Sequence, residues 1–586
     1  MRKMLVMALV MVPVAVLALT PPPAVRVTDD PSSAVVSPTV NSRDFERVRI
    51  AELTSYIRYL FEHKQGLLLN GSDDPYFFFA HNDAAGKINT VVFNESQLMD
   101  PASWIVQDIV EWTGEGSLRY ISPSAYSDGD MWYPQVTFNC YGPPAYEGFL
   151  YDEGGLGAGI WTNPFPVDGP AYDYYLPLTD TGAGNVIFMD GQARDAASDS
   201  HIFKSFGGWD GVMVDPPGEV MIFPADETFG PNPVFGQGYE NSQLVYGADR
   251  NGTIVIALCG YRSADYTDVN NPLLPVFRCS MDGGLTWADN VWLDQATVPD
   301  MPGSIPGIQA HYSNSFFDFA FDGMGNMHFL AVIADSGWYG NDTSPIWGLY
   351  DIHQTDEGWT ASLVSDGTDY EGLNPRPLLD ETGIESWMHS PSLAWGEDGT
   401  MIATWADIAI VDMADTSVAI GILMSYSHDN GMTWTDPAIV AADLEIGEYF
   451  PRLIQNTYVP AEGEMAYAYV LTMPTGGADG PLDMIKVPYE KNVSADMKPV
   501  VQKLDVLGPN PTQGRVTVAL NLNTAGTVNA GIYNLNGQLV QTLHKGMMTA
   551  GSHELTWDGS TAAAGIYFAR VTSGSQNLAA KVVLVK

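Results

Sequence analysis

Positive charge is what this chain has least of. Its 586 residues carry 26 Lys+Arg against 70 Asp+Glu, and between Gln65 and Val500 only five Lys and seven Arg occur. Such a surface repels phosphate backbones and anionic headgroups, which excludes nucleic acid and membrane surfaces as partners of that stretch. It suits hard cations such as Ca²⁺, the one cofactor the composition suggests. Cysteine is nearly as scarce. Cys140, Cys259 and Cys279 cannot make a disulfide framework, and their spacing is not that of a metal site. Cys259 and Cys279 flank one long loop, leaving open a single bridge or three buried thiols. Beyond the N-terminus no apolar run is long enough to span a membrane.

What the N-terminus does contain is a signal-peptide pattern over residues 1–24. Arg2 and Lys3 precede an apolar stretch, Ala18 or Ala24 offers a cleavage site, and Pro21-Pro22-Pro23 follows. The mature chain is therefore expected outside the cytoplasm with no transmembrane segment. Residues 25–65 read as a Pro/Ser/Thr/Val-rich leader and then an amphipathic helix, because Phe45, Val48, Leu53, Ile57 and Leu60 recur at helical spacing behind Asn41 or Ser42. Its arginines, Arg43, Arg47, Arg49 and Arg58, are expected to lay it on the acidic body of the same chain.

Hydrophobic residues make up 45%, and 58 Gly, 15 Trp and 28 Tyr suit many short strands joined by tight turns. One turn repeats. Ser280-Met281-Asp282-Gly283-Gly284-Leu285-Thr286-Trp287 and Ser427-His428-Asp429-Asn430-Gly431-Met432-Thr433-Trp434 share the pattern S-x-D-x-G-x-T-W, each after a strand-like run. Worn copies stand at Asp356-Glu357-Gly358-Trp359 and Phe206-Gly207-Gly208-Trp209. The interior glycines, Gly208, Gly284, Gly358 and Gly431, are 76, 74 and 73 residues apart. A near-constant interval with a decaying motif is the mark of stacked supersecondary units. A further candidate is Asp152-Glu153-Gly154-Gly155, with Trp161 following.

The pattern resembles the Asp-box of sialidase-type β-propellers, a hairpin tip between the outer strands of a blade. That resemblance implies an all-β fold over residues 66–490. In the turn itself, Asp accepts backbone N–H groups, Gly supplies a positive φ, and Trp packs on a neighbouring blade. Asp282 and Asp429 are thus expected to hold turns rather than to react. Innermost strands are expected to open near Tyr133-Pro134, Tyr172-Asp173, Asn241-Ser242, Ser313-Asn314, Ser390-Pro391 and Phe450-Pro451. Counting them predicts a six-bladed propeller, or a seven-bladed one if residues 66–130 make a blade of their own. The last unit lacks an outer strand, which the N-terminal segment is placed to donate.

After a linker at 491–503, residues 504–586 show short alternating strands that predict a small β-sandwich. Pro509-Asn510-Pro511, Ile532-Tyr533-Asn534, Trp557-Asp558-Gly559, Gly565-Ile566-Tyr567-Phe568 and the terminal Lys581-Val582-Val583-Leu584-Val585-Lys586 occur in order. Together they resemble the C-terminal sorting domain of type IX secretion and the immunoglobulin-like domain of flagellar hook-capping proteins. The resemblance implies delivery through the outer membrane of a Gram-negative-type bacterium, to the surface or the medium. Its partner would be the secretion machinery of that membrane.

For chemistry the sequence offers less. It holds no G-x-S-x-G, no H-E-x-x-H, and no phosphate or dinucleotide loop. Asp128-Gly129-Asp130 and Asp268-Val269-Asn270-Asn271 are fragments of Ca²⁺ loops, and no metal ligands are assigned. Sialidases grip a carboxylate with three arginines; here Arg250, Arg376 and Arg452 would all be needed, and the family's F/Y-R-I-P signature is absent. Loops expected at the axial mouth carry Asp128, Asp130, Trp132, Tyr133, Glu240, Asn241, His311, Tyr312, Trp387, His389, Glu448, Tyr449 and Arg452. Aromatic faces suit sugar rings and carboxylates suit acid/base work. Binding of a glycan without sialidase catalysis is the favoured expectation. A glycoside hydrolase or lyase using mouth carboxylates, and a purely structural or adhesive surface protein, remain the alternatives; no catalytic residue is named.

Overall fold

A computed structural model describes residues 45–586 apart from 54–65, 70–73, 83–86, 112–116, 128–130, 142–145, 168–177, 181–185, 191–201, 207–218, 222–244, 249–252, 261–273, 282–286, 304–316, 323–324, 335–345, 356–357, 367–388, 413–416, 443–448, 474–479, 493–500, 523–525, 536–538, 549–550 and 574–575. Antiparallel strands dominate. β1 (Glu46–Leu53) precedes six four-stranded sheets made in sequence order. The first is β2 (Gly66–Leu69), β3 (Tyr76–Asn82), β4 (Lys87–Asn94) and β5 (Ile105–Glu111); the second is β6 (Ser117–Ser127), β7 (Trp132–Tyr141), β8 (Tyr146–Asp152) and β9 (Trp161–Val167). The third is β10 (Leu178–Asp180), β11 (Val186–Asp190), β12 (Ile202–Phe206) and β13 (Glu219–Met221); the fourth is β14 (Val245–Ala248), β15 (Ile254–Gly260), β16 (Leu274–Ser280) and β17 (Val291–Trp292). The fifth is β18 (Phe317–Phe321), β19 (Met327–Ala334), β20 (Ile346–Thr355) and β21 (Gly358–Asp366); the sixth is β22 (His389–Trp395), β23 (Met401–Asp412), β24 (Ser417–Ser427) and β25 (Ala438–Ala442). β26 (Tyr449–Leu453), β27 (Met465–Met473) and β28 (Gly480–Glu490) begin a seventh sheet, which β1 completes in the order β1-β28-β27-β26.

The sheets are the blades of a propeller whose first strands touch in succession from β2 to β26. Asn456 closes the circle by donating from Nδ2 to Leu68 O at 3.0 Å. Before the C-terminal domain the described residues hold seven four-stranded sheets, one more than the preferred count of six. The additional sheet lies at 66–111, within the stretch 66–130 whose forming a blade of its own was the condition for a count of seven. Its third-to-fourth connection carries no Asp-box; Asn94 N donates to Gln97 Oε1 at 3.0 Å over a 3-10 turn, and Trp104 stacks back on Phe93 at 4.3 Å.

β1 corrects the expected helix. Val48 and Ile50 are buried on either side of exposed Arg49, a period of two rather than 3.6, and the slip between Arg49 and Ala51 then leaves Ala51 buried and Glu52 exposed. An unpaired edge on β28 outweighs helical spacing here, because seven residues of β1 pair along it. Arg47 Nε donates to Asp483 Oδ2 at 3.0 Å and Arg49 Nε to Asp483 Oδ1 at 2.5 Å, so these two arginines do face an acidic group of their own chain. Arg43 and Arg58 lie outside the described residues.

Apolar side chains are buried between blades. Val48, Ile50, Tyr469 and Leu471 of the last sheet share a cluster with Leu68, Phe77 and Phe79 of the first, and Phe77 meets Tyr469 edge-on at 4.7 Å. Ala394, Ile402 and Ile422 join Leu453, Val470 and Ile485 in the same way. At about 2 kcal/mol for each large side chain removed from water, these seams bind each blade to its neighbours. In the fourth sheet Cys279 stands opposite Val255, and Cys259 opposite Pro275. That offset separates the two cysteines, and Cys279 is a buried thiol outside any disulfide.

The C-terminal domain comprises β29 (Val501–Leu507), β30 (Arg515–Leu522), β31 (Gly526–Asn534), β32 (Leu539–Met548), β33 (Gly551–Asp558), β34 (Gly565–Ser573) and β35 (Gln576–Leu584). Sheets β29-β30-β33 and β32-β31-β34-β35 form the sandwich, and β29 starts inside the expected linker. The sequence motifs of this domain have structural duties. Trp557 is buried against Tyr567 at 4.8 Å, Asp558 Oδ1 accepts from Ser560 N at 3.0 Å, and Asn510 Oδ1 accepts from Val583 N at 2.7 Å.

Candidate functional site: mouth and rim

Each first strand starts at one end of the propeller and turns at the other. The starts of β14, β18, β22 and β26 define the mouth. Trp387 precedes β22 by two residues, His389 opens it, Glu448 immediately precedes β26, and Tyr449 opens it. Glu240, Asn241, His311 and Tyr312 precede β14 and β18 in sequence. Asp130, Glu240, Asn241, His311, Tyr312, Trp387 and Glu448 lie outside the described residues, as do the side chains of His389 and Tyr449.

Two of the expected mouth residues are elsewhere. Trp132 pairs with Ser127, and Tyr133 with Tyr126, across the hairpin joining β6 to β7. They stand at the turn end of that blade, opposite the mouth, and Asp130 belongs to the same connection. The first strand of this blade is β6, eleven residues with a proline in them, which the sequence reading passed over. Arg119, absent from the expected set, is on β6 near the mouth. Arg250 and Arg376 lie outside the described residues. Arg452 is at the mouth but is buried, and its Nη1 donates to Pro391 O at 2.9 Å.

The mouth ends of three first strands are irregular. The ladder slips between Arg119 and Ser122 on β6, His389 and Ser392 on β22, and Tyr449 and Arg452 on β26. Between the two ends of the slip on β22, Ser390 is buried with φ 52°. Such bulges re-aim side chains, and a non-glycine left-handed residue persists only where its surroundings hold it. Here Arg452 holds Pro391, Ser392 Oγ accepts from Leu453 N at 3.0 Å, and Asp318 Oδ2 accepts from Leu393 N at 2.7 Å.

At the rim the second copy of the repeated motif is complete. Asp429 Oδ1 accepts from Thr433 N and Ser427 Oγ, both at 2.8 Å, and Oδ2 accepts from Thr433 Oγ1 at 2.6 Å. Gly431 N donates to Ser427 Oγ at 2.9 Å, and Trp434 Nε1 to Gly431 O at 3.0 Å. In the first copy Ser280 is buried and Trp287 half-buried, while Asp282, Gly284 and Thr286 lie outside the described residues. Asp152 does the same work in the second blade, accepting from Gly154 N, Gly159 N and Ile160 N. Trp359 of a worn copy reaches Phe277 of the preceding blade at 5.5 Å.

Burial opposes the charge on Asp429, but the bonds from Thr433 and Ser427 outweigh it and hold the carboxyl below its ordinary range. A depressed carboxyl stabilises the fold above its unfolded pKa and loses that contribution as pH falls through the folded one. Asp429→Ala is expected to cost about 1–2 kcal/mol at neutral pH, read as a lower melting temperature, and the gap to the parent should narrow below about pH 4.

A second polar cluster at this rim was missed by the sequence reading. His328 on β19 stands opposite His353 on β20, and Asp351 shares a face of β20 with His353; all three are buried. Asp351 Oδ2 lies 2.9 Å from His328 Nδ1 and 3.4 Å from His353 Nδ1. Burial disfavours charge on His328, yet Asp351 and Asp322 push its pKa up to about 10. His353 is held below its ordinary value, chiefly by burial. The readable signal was Asp-x-His at strand period two.

Residues 507–586 match the family described as "Secretion system C-terminal sorting domain". That domain marks the chain for type IX export to the cell surface or the medium. Among the described residues no helix is long and apolar enough to cross a membrane. No curated protein matches the chain. Among solved structures it is similar to the polysaccharide lyase Uly1, with 11% identity over 84% of this chain and 89% of that one and a TM-score of 0.28. It is similar to the β-propeller domain of the Trilobed protease from Pyrococcus furiosus, with 9% identity over 73% and 98% and a TM-score of 0.34. A third is the Trypanosoma rangeli sialidase, with 10% identity over 88% and 84% and a TM-score of 0.32. Likenesses at these values bear on neither substrate nor reaction.

Proposed function

We propose that this chain is a surface-delivered propeller that binds an extracellular glycan at its mouth without sialidase chemistry. The observation that carries the reading is the set of slips at the mouth ends of β6, β22 and β26. Bulges, a left-handed Ser390 and the Arg452 strut give the mouth a fixed backbone. From β22 and β26, held side by side, the sequence presents Trp387, His389, Glu448 and Tyr449, residues with the flat apolar faces and polar edges that sugars bind. Arg452 argues against sialidase chemistry: it is buried and bonded to Pro391 O.

The test is a panel of immobilised polysaccharides probed with the full mature chain, alongside assays for released reducing ends and unsaturated products. Binding without product is expected. Turnover that disappears in Glu448→Gln would replace this reading with a glycoside hydrolase or lyase.

A further inference from the structure

We propose that His328, Asp351 and His353 supply three of the ligands to one divalent metal ion of the zinc type, sealed beneath the Asp429 turn of the next blade. A tetrahedral ion with bonds of about 2.0 Å sets its donor atoms about 3.3 Å apart. The observed separations from Asp351 Oδ2, 2.9 Å to His328 Nδ1 and 3.4 Å to His353 Nδ1, bracket that value. The two imidazoles stack with centroids 5.1 Å apart and planes 10° apart, so both Nδ1 atoms lie on the Asp351 side of the stack; His353 Nδ1 also lies 3.2 Å from Asp351 O, a contact it would give up on taking the ion.

A second observation points to a ligand. His328 Nε2 is buried with no hydrogen-bond partner, 3.6 Å from Asp322 Oδ2. Histidines that ligate through one nitrogen commonly direct the other N–H at a carboxylate, which orients the ring. A small movement of His328 toward Asp322, whose carboxylate is fixed by Asn326 N and Nδ2 at 2.8 Å each, would complete that arrangement. His353 Nε2 lies 3.3 Å from Met432 Sδ. Gly431 closes the site from above, since a Cβ there would overlap Asp351 Oδ2. Two histidines and one carboxylate, all buried, match zinc rather than calcium, whose sites are built from oxygen. The ion would tie β19 and β20 together and set the seat for the adjoining blade's turn.

The experiment uses the full mature chain, loaded with Zn²⁺, desalted, and analysed for metal by plasma emission. One equivalent is expected, with a melting temperature that falls several degrees on chelation and recovers on adding Zn²⁺. Co²⁺ in its place should give the visible absorption of a low-coordinate site. Asp351→Asn and His353→Gln should lose the metal; the conservative forms guard against a fold lost to the substitution itself. Folded parent protein holding less than about a tenth of an equivalent, with a melting temperature indifferent to chelator, would overturn the proposal and leave a buried His–Asp ion pair.

Discussion

Ile50→Asp is expected to cost about 3–5 kcal/mol, by placing an unpaired carboxylate in an apolar seam. Ile50 is 7% exposed and packs with Val48, Leu68, Phe77 and Tyr469 where the last blade meets the first. The blade seams between successive sheets join neighbours in sequence; this one joins segments nearly four hundred residues apart. β1 supplies seven paired residues and the Arg47 and Arg49 contacts to Asp483. Near it Tyr469 OH and Lys486 Nζ both reach Glu95 of the first blade. Deleting the chain through residue 53 should go further and leave an open ring. Chemical unfolding followed by tryptophan fluorescence checks both. An unchanged midpoint for Ile50→Asp would show that β1 does not close the propeller.

Gly431→Ala should be nearly as damaging, at about 3 kcal/mol or more. Gly431 has φ 82°, a region alanine resists, and its new Cβ would overlap Asp351 Oδ2 and press on His328 Cε1 at 3.0 Å. Neither neighbour can retreat into solvent, for both are fully buried. Asn430, at φ 55° in the same turn, makes the control. Asparagine tolerates that conformation, so Asn430→Gly should leave the melting temperature within about a degree. Equal losses from the two substitutions would mean that the turn, not its seat on Asp351, is the sensitive part.

How much of this was readable from sequence follows from where the information resides. The spacing of the repeated turn motif marks third-to-fourth connections: Gly358 and Gly431 lie in, or at the edge of, such turns. A turn motif is local, so it survives without knowledge of partners. The first blade carries no such motif, and its capping by Asn94 and Gln97 gave no periodic signal. β1 was misread because Phe45, Val48 and Leu53 fit helical spacing about as well as Val48 and Ile50 fit alternation; only the vacant edge of β28, remote in sequence, decides between them. The same limit explains Trp132 and Tyr133. Which end of a blade a residue occupies depends on whether its strand is first or second, and the polar run of β6 hid the true first strand. His328, Asp351 and His353 were legible in principle, but pairing one strand's Asp-x-His with a histidine on its neighbour requires the register.

The division of labour between a rim that holds the fold and a mouth that binds is tested most directly by one comparison. Trp387→Ala, Tyr449→Ala and Asp429→Ala in the full mature chain are measured for melting temperature and for retention on the polysaccharide that binds the parent. The two mouth variants should lose at least about tenfold in affinity, the scale of one aromatic–sugar contact, at an unchanged melting temperature. Asp429→Ala should melt earlier and bind as the parent does. Undiminished binding by both mouth variants, or lost binding by a folded Asp429→Ala, would contradict that division.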